Sequence, residues 1–265
     1  MAELTASSID LTLKGEVAED APDYARDKVA AVASSAKDPI LHAAIALAQE
    51  NDPARERPAI AEATLDVNGR PVRAQVAATD MLEAIDLMVD RLTRRLRRYE
   101  DQVHHGGRER YRTGEAGEGE WRHGDLPSQR ADYFDRPYEE RELVRTKRFD
   151  LTPTSVDEAI FDLDMLGHDF YLFTEASTGQ DAVVFLRDGR PLALQLPEGT
   201  EGDPTDGAAD EVELVAPAAR LSRTEAIERL ESGKERFVFF IEDATGRGAV
   251  AYHRYDGNWG LISAQ

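Results

Sequence analysis

A repeat in the C-terminal half constrains the fold more than any other feature of this sequence. The triplet EAI at 158–160 recurs at 225–227, and the aromatic run FYLF at 170–173 recurs as FVFF at 237–240. A Thr-Gly pair follows each aromatic run, and all three matches keep the same spacing without a gap. Self-similarity at a fixed offset predicts two copies of one small fold.

Each copy is predicted to contain a strand, a short helix and a small antiparallel meander. In the first copy, residues 145–151 alternate like a strand, and Thr154 or Ser155 can cap a helix that begins at Val156. Gly167 suits the end of that helix, because a left-handed terminal residue is easiest for glycine. A copy of about fifty residues buries too little apolar surface to be comfortable alone, so the two copies are expected to pack face to face.

The N-terminal part has the element order β-α-β-β-β-α. Asn68-Gly69 is the strongest short hairpin signal, and it separates alternating runs at 60–67 and 72–78. Asp80 caps a long helix whose apolar residues share one face. Residues 39–49 are strand-like but rich in alanine, so a helix is an open alternative there. The predicted fold class is α+β: two helices on one face of a four-stranded sheet, followed by two tandem β-α-β-β-β repeats.

Two stretches of polar composition divide the chain. Residues 105–142 are rich in Gly, Glu, Arg, Asp and Pro and lack apolar periodicity, and residues 197–211 are acidic and glycine-rich. The predicted organisation is an N-terminal domain at 1–104, a linker at 105–142, repeat 1 at 143–196, a linker at 197–211 and repeat 2 at 212–265.

Composition excludes several classes of protein. The chain has no cysteine, which excludes disulfides, thiolate nucleophiles and thiolate metal sites. No stretch approaches the roughly 18 apolar residues of a membrane helix, and the N-terminus has no apolar signal core, so a cytoplasmic protein without membrane contact is expected. The formal net charge of −20 argues against nucleic-acid binding over the whole surface but allows a local basic face.

A basic cluster lies near the end of the long helix. Five arginines stand within eight residues around its polar side: Arg91, Arg94, Arg95, Arg97 and Arg98. A solvated helix end would also favour arginine through the helix dipole. Because guanidinium forks match phosphates in two-point contacts, the cluster is equally consistent with a grip on a phosphate backbone.

Catalytic signals are weak. His104, His105 and His123 lack regular ligand spacing. His168 beside Asp169 resembles a general-base pair, but a polar corner residue is the favoured reading. The sequence has no G-x-S-x-G, phosphate loop or dinucleotide fingerprint. We therefore expect no enzyme, no catalytic residue, no cofactor, no metal and no small-molecule substrate.

Several stretches resemble the long form of the ribosome hibernation-promoting factors, the ribosome-associated inhibitor / sigma-54 modulation protein family. The N-terminal resemblance rests on element order, on DYARDKV at 23–29 and on DMLEAIDLMVDRL at 80–92. The C-terminal resemblance is more specific: RTKRFDL at 145–151, then EAI, MLGHDF and a TG turn, with YDGNWGLI at 255–262 matching the family's usual ending.

The resemblance implies a stress-response factor that represses translation. Its N-terminal domain would bind the small ribosomal subunit, rRNA and ribosomal proteins alike, at the decoding region. The positions matching the family's rRNA contacts are Lys28, Arg91, Arg94, Arg95 and Arg98. Arg97 joins them on its chemistry alone. The first helix departs from the family pattern because it is crowded with acids, namely Glu19, Asp20, Asp23 and Asp27.

The duplication adds an expectation of its own. In the long family, one C-terminal domain pairs with its copy on another ribosome, whereas this chain carries both copies. We expect a monomer with an intramolecular pseudo-dimer that does not dimerise ribosomes, with Phe170, Phe173, Phe237 and Phe240 near its centre. A domain-swapped homodimer is the alternative. The alternative function is a protein interaction module whose N-terminal domain has lost rRNA binding.

Overall fold

The computed structural model describes residues 6–51, 57–104, 137–187, 190–202, 204–205, 212–233, 235–254 and 257–265. It contains two compact units, one formed by the N-terminal part of the chain and one containing both repeats. The linker residues Trp121, Tyr133 and Phe134 fall outside the described residues, as do His105 and His123, whereas Tyr138 is described.

The N-terminal unit has the predicted element order. Its elements are β1 (Asp10–Lys14), α1 (Ala21–Ser34), β2 (Ile40–Gln49), β3 (Ala59–Val67), β4 (Arg70–Ala78) and α2 (Met81–His104). The sheet order is β1-β2-β3-β4, with β1 and β2 parallel and the other neighbours antiparallel. The alanine-rich stretch before residue 50 is a strand, so the helical alternative left open for it is wrong.

Alternation along the strands places the core of this unit on one face of the sheet. Ile45, Ala63 and Ala74 stand side by side on β2, β3 and β4, and all three are buried. Many residues on this face are alanine, which lets a helix backbone approach the sheet closely. Helix α2 contacts β3 and β4, and α1 contacts both β2 and α2. The α+β arrangement predicted for this unit is confirmed.

The predicted hairpin between β3 and β4 is present. Asn68 and Gly69 both have positive φ, 52° and 90°, as a two-residue type I′ turn requires. The Gly69 N–H donates to Asp66 Oδ1 at 2.7 Å. This turn fixes the register, so that Val67 pairs with Arg70.

The C-terminal unit is built from two five-stranded sheets. Repeat 1 supplies β5 (Leu143–Phe149), β6 (Pro153–Thr154), α3 (Val156–Leu166), β7 (Phe170–Glu175), β8 (Asp181–Arg187) and β9 (Arg190–Gln195). Repeat 2 supplies β10 (Val212–Leu214), β11 (Arg220–Leu221), α4 (Arg223–Ser232), β12 (Phe237–Glu242), β13 (Gly248–His253) and β14 (Trp259–Ala264). Both helices begin with the same capping box, Ser155 with Glu158 and Ser222 with Glu225, as the repeat predicts.

The two repeats exchange their first strands, which the sequence did not predict. The sheet of repeat 1 has the order β10-β9-β8-β7-β6, and the sheet of repeat 2 has the order β11-β12-β13-β14-β5. Strand β5 therefore runs parallel to β14 of the other repeat, and β10 runs parallel to β9. Each repeat keeps its own meander, but neither completes its sheet alone.

The two sheets pack face to face, as the sequence predicts. One apolar cluster combines Leu172 and Val183 of repeat 1 with Phe239, Ile241 and Val250 of repeat 2. A second cluster packs α4 on the opposite face of the repeat 2 sheet. Side chains alternate along a strand, so each strand of repeat 2 supplies residues to both layers.

Candidate nucleic-acid and repeat-pairing interfaces

Helix α2 is held in place by its first turn and its apolar face. Asp80 Oδ1 accepts a hydrogen bond from the Glu83 N–H at 2.9 Å, and the Glu83 carboxylate accepts one from the Thr79 hydroxyl at 2.6 Å. Ile85, Met88 and other apolar residues of α2 are fully buried. This packing sets which of the arginines further along the helix reach solvent.

Arg91 and Arg95 lie against the sheet and not on the exposed side of α2. Arg91 Nη1 donates to the carbonyl of Gln75 at 2.6 Å, and Arg95 Nη1 donates to the carbonyl of Arg73 at 2.5 Å. Both arginines are buried. The sequence placed them on the polar side of the helix, and that placement is wrong. Their assignment as rRNA contacts stays a prediction that nothing here tests.

The spacing of these two hydrogen bonds explains why α2 carries arginines at positions 91 and 95. Strand β4 is at the edge of its sheet, so every second carbonyl lacks a neighbouring strand. Four residues of helix rise about 6 Å, and two residues of strand rise about 6.6 Å. Arg91 and Arg95 therefore match two successive outward carbonyls of β4 and cover its edge.

Arg94 and Arg97 are exposed, and Arg98 is half-buried. Residues three apart on a helix are neighbours, so Arg94 and Arg97 form one basic surface, which we call the α2 patch. Arg98 lies beside it, but its Nη1 donates to Asp164 Oδ2 at 2.7 Å. The structure thus places two of the five predicted arginines together on the exposed side of the helix.

At about 100° of rotation per residue, Arg95 and Arg91 lie about 60° and 100° from the buried Leu92. By the same rotation, Arg94 and Arg97 lie about 160° and 140° from it. The spacing was therefore a signal that the prediction did not use.

Lys28 of α1 is paired with a carboxylate at the surface. Its Nζ lies 3.1 Å from Asp86 Oδ1 of α2, and the Tyr24 hydroxyl donates to the same carboxylate at 2.8 Å. Hydrogen bonds with Tyr24 and then Asp86 raise the pKa of Lys28 above its usual value. The four acids of the first helical segment are exposed, as the sequence suggested: Glu19, Asp20, Asp23 and Asp27.

The four phenylalanines predicted for repeat pairing fall on two different faces. Phe170 and Phe237 face each other across the sheets with ring centroids 4.6 Å apart, and Phe185 meets Phe237 edge to face at 5.2 Å. Phe240 belongs to the cluster that packs under α4. Phe173 follows Leu172, which lies between the sheets, so strand alternation turns Phe173 to the opposite face.

A polar cluster anchors the exchanged strand β5 to repeat 2. Arg141, just before β5, contacts both carboxylate oxygens of Glu231 at 2.7 Å, and Trp259 Nε1 donates to Glu231 Oε1 at 2.6 Å. Tyr138 packs edge-on against Trp259 with centroids 5.7 Å apart. We call this group the β5 anchor: Tyr138, Arg141, Glu231 and Trp259. The sequence indicated Trp259 as part of the family ending and Tyr138 as a linker aromatic that could dock, but it gave no signal for Arg141 or Glu231.

The charge of the β5 anchor is balanced within a largely buried site. Burial acts to raise the pKa of Glu231, but the hydrogen bonds from Trp259 and Arg141 outweigh it, so the pKa lies below the usual value. His253 Nδ1 lies 3.7 Å from Glu231 Oε1. Burial lowers the pKa of His253, and the nearby Glu231 carboxylate only partly opposes that effect. Near neutral pH the pair is a carboxylate beside a neutral imidazole.

Comparison with known proteins fits this architecture. The family model described as sigma 54 modulation protein / S30EA ribosomal protein matches residues 9–104, and the model of the same family's C terminus matches residues 138–191. The chain is 35% identical over 137 residues to the ribosome hibernation promotion factor of Lactococcus lactis subsp. cremoris (strain MG1363). That match covers 51% of this chain and 70% of the factor. The chain belongs to the sigma 54 modulation / S30EA ribosomal protein family.

Further similarities cover parts of the chain. The dormancy associated translation inhibitor of Mycobacterium tuberculosis (strain ATCC 25618 / H37Rv) is 36% identical over 130 residues, which are 46% of this chain and 47% of that protein. The solved structure of the Thermus thermophilus Protein Y N-terminal domain is 26% identical, with a TM-score of 0.29, and covers 35% of this chain and 98% of that one.

The family and the relatives are named as ribosome-associated factors and not as enzymes. Within the described residues, no cluster of three or more His, Asp or Glu side chains could hold a metal ion. Among those same residues, no helix is long and apolar enough to cross a membrane.

Proposed function

We propose that this protein binds ribosomes and inhibits translation as a cytoplasmic hibernation factor. The observation that carries the proposal is its membership of the S30EA family, with relatives named as a ribosome hibernation promotion factor and a dormancy associated translation inhibitor. The first family match, at residues 9–104, coincides with the elements β1 to α2 of the N-terminal unit.

The N-terminal unit is the part proposed to bind the small subunit at the decoding region. The α2 patch offers guanidinium groups to rRNA phosphates on the surface of a strongly acidic chain. Arg94 and Arg97 are the foremost candidates because both are exposed. Lys28 would reach a phosphate only by leaving Asp86, so its contribution is proposed to be smaller.

The C-terminal unit is proposed to be a pseudo-dimer closed within one chain. The reciprocal exchange of β5 and β10 supports this proposal, because each repeat completes the sheet of the other. A relative with one C-terminal domain would pair its sheet with a copy of that domain on a second ribosome. In this chain the two corresponding sheets pack against each other. Such a factor silences ribosomes singly and does not join them in pairs.

Sedimentation with purified ribosomes through a sucrose gradient at low and high salt tests both parts. Salt-sensitive binding to the small subunit or the monosome, without a faster dimer peak, is the expected result. A dimer peak would keep ribosome binding and reject closure within one chain. Absence of binding at low salt would reject the ribosomal function.

The second candidate function is a protein interaction module whose N-terminal unit no longer binds rRNA. The exposed acids of α1 favour it, since they would repel a phosphate backbone. Charge reversal at the exposed Arg94 and Arg97 separates the two functions. The interaction module would keep its partner after that change, whereas a ribosome-bound factor would be released.

A further inference from the structure

The two repeats differ at a point where they contact each other. Asp181 is the first residue of β8, and Gly248 is the first residue of the equivalent strand β13. The residue before each also differs, being Gln180 in repeat 1 and Arg247 in repeat 2. These four residues occupy equivalent positions of the repeat, so a symmetric pair of identical repeats would place like against like.

Asp181 of repeat 1 fills the space beside Gly248. Only a hydrogen atom therefore fits at the side-chain position of Gly248. A Cβ added to Gly248 would stand 2.6 Å from the Asp181 Cβ and 3.1 Å from Phe239 Cε2. Contacts under 3.0 Å are essentially never seen for a real Cβ. Gly248 is not among the glycines with positive φ, so its backbone conformation does not call for glycine. The requirement is for space facing the other repeat.

Asp181 is buried and receives its partners from both repeats. Arg247 Nε donates to Asp181 Oδ2 at 2.8 Å, and the Gly248 N–H donates to the same oxygen at 2.8 Å. From its own repeat, the Thr174 hydroxyl donates to Oδ1 at 2.9 Å. Burial acts to raise the pKa of Asp181, but these bonds, led by that of Arg247, hold the pKa below its usual value.

Two copies of repeat 1 could not form this arrangement with each other. Each Asp181 would meet another Asp181 where Gly248 now stands, and Gln180 would take the place of Arg247. The Cβ atoms would overlap, and two carboxylates would face each other without a guanidinium group. A pair of two second repeats would leave Arg247 without its carboxylate and an empty space where the Asp181 side chain lies.

We propose that Asp181, Arg247 and Gly248 make the two repeats complementary, so that repeat 1 accepts repeat 2 as its partner and rejects another repeat 1. The duplicated domain has thus changed from a self-pairing module into a matched pair. This inference rests on the pairing of repeats in the proposed function and is independent of ribosome binding.

A double-mutant cycle in the full chain tests the steric part. Gly248→Ala is expected to lower the unfolding midpoint of the C-terminal unit by about 5 °C or more, because the added methyl group overpacks the contact. In an Asp181→Gly background the same change is expected to cost less than half as much, since the opposing Cβ is gone. Equal costs in both backgrounds would overturn the proposal.

Transposing the residues tests the matched pair as a whole. Gly248→Asp places aspartate in both repeats, which imitates repeat 1 facing itself, and is expected to be the least stable variant. The quadruple variant Q180R/D181G/R247Q/G248D restores one aspartate, one glycine and one arginine with the repeats exchanged. It is expected to recover most of the lost midpoint, and a quadruple variant no more stable than Gly248→Asp would overturn the proposal.

Analytical ultracentrifugation of the wild-type chain without ribosomes separates this inference from the proposed function. A monomeric wild-type chain, together with the expected result of the double-mutant cycle, would support both the matched pair and closure within one chain. A dilution-resistant homodimer that passes the cycle would reject closure within one chain and keep the matched pair, now formed between chains. A failed cycle rejects the matched pair, whatever the gradient experiment shows about ribosomes.

Discussion

Substitutions in the α2 patch should have different effects from substitutions at Arg91 and Arg95, which cover the edge of β4. Matched double variants make the comparison. The variant R94Q/R97Q removes two exposed charges, whereas R91Q/R95Q removes two buried donors on the same helix. Both variants change two arginines to glutamine, so helix propensity and net charge change almost equally. Any difference between them therefore reports on position and not on composition.

The expected magnitudes follow from the contacts. Each lost phosphate contact should reduce the slope of log affinity against log salt by about 0.7–0.9, so R94Q/R97Q should reduce it by about 1.5. With charge-assisted hydrogen bonds contributing about 1.5–3 kcal/mol each, ribosome affinity should fall at least about 100-fold. The unfolding midpoint should stay near that of the wild type, since exposed substitutions usually change stability by less than about 0.5 kcal/mol.

The variant R91Q/R95Q should behave in the opposite way. Losing two buried donors to the β4 carbonyls should cost about 3–6 kcal/mol in all, which is about 10 °C or more in the midpoint of a unit of this size. Its salt slope, measured well below that midpoint, should be unchanged. Scanning calorimetry and ribosome sedimentation over a salt series measure both quantities. An unchanged slope in R94Q/R97Q, or an unchanged midpoint in R91Q/R95Q, would refute the reasoning.

Three further results are expected. Glu231→Gln should destabilise the C-terminal unit by about 1.5–3 kcal/mol in urea unfolding, because it weakens the charged contact with Arg141. The control Glu228→Gln, at an exposed position of the same helix, should cost little. Equal effects of the two substitutions would contradict the role of the β5 anchor. Folding lowers the pKa of His253, so the unfolded chain binds more protons and the free energy of unfolding should fall as the pH drops below about 6.5. In a plot of unfolding midpoint against pH, His253→Gln should lack this fall. Identical curves for the wild type and the variant would contradict the assignment. Gly69→Ala should cost about 1 kcal/mol by calorimetry through backbone strain alone, since an added Cβ would meet nothing within 4 Å at φ +90°, and a stabilising effect would contradict it.

Local signals in the sequence were enough for most elements and for some of their ends, although the strand predicted at 145–151 lies at Leu143–Phe149. Asn68-Gly69 fixed a hairpin because only a few residues accept positive φ, and Ser155 with Glu158 fixed a helix start. The repeat itself predicted that two similar sheets would pack together, and they do. These features depend on residues close in sequence or on a pattern that occurs twice.

What the sequence left unpredicted depends on partners far along the chain. Strand β5 has the same pattern of residues whether it joins its own repeat or the other, so its exchange was invisible. The side taken by Arg91 depends on where the carbonyls of β4 stand. One missed feature was available: Phe170 and Phe173 are an odd number of residues apart, so a strand must turn them to opposite faces.

The tether between the repeats and the proposed Asp181–Gly248 contact disfavour competing pairings in different ways. A second chain carrying the same two repeats offers the same contacts, and only proximity disfavours it. In the proposed closure within one chain, tethering would give the repeats an effective concentration of about 1 mM, so at about 1 µM protein the internal partner would be favoured roughly 1,000-fold. Pairing of identical repeats always needs a second chain, so proximity disfavours it as well, but that advantage shrinks as chains become crowded. Asp181 and Gly248 are proposed to disfavour it by shape and charge at any concentration, so the tether would select the chain and the contact would select the repeat.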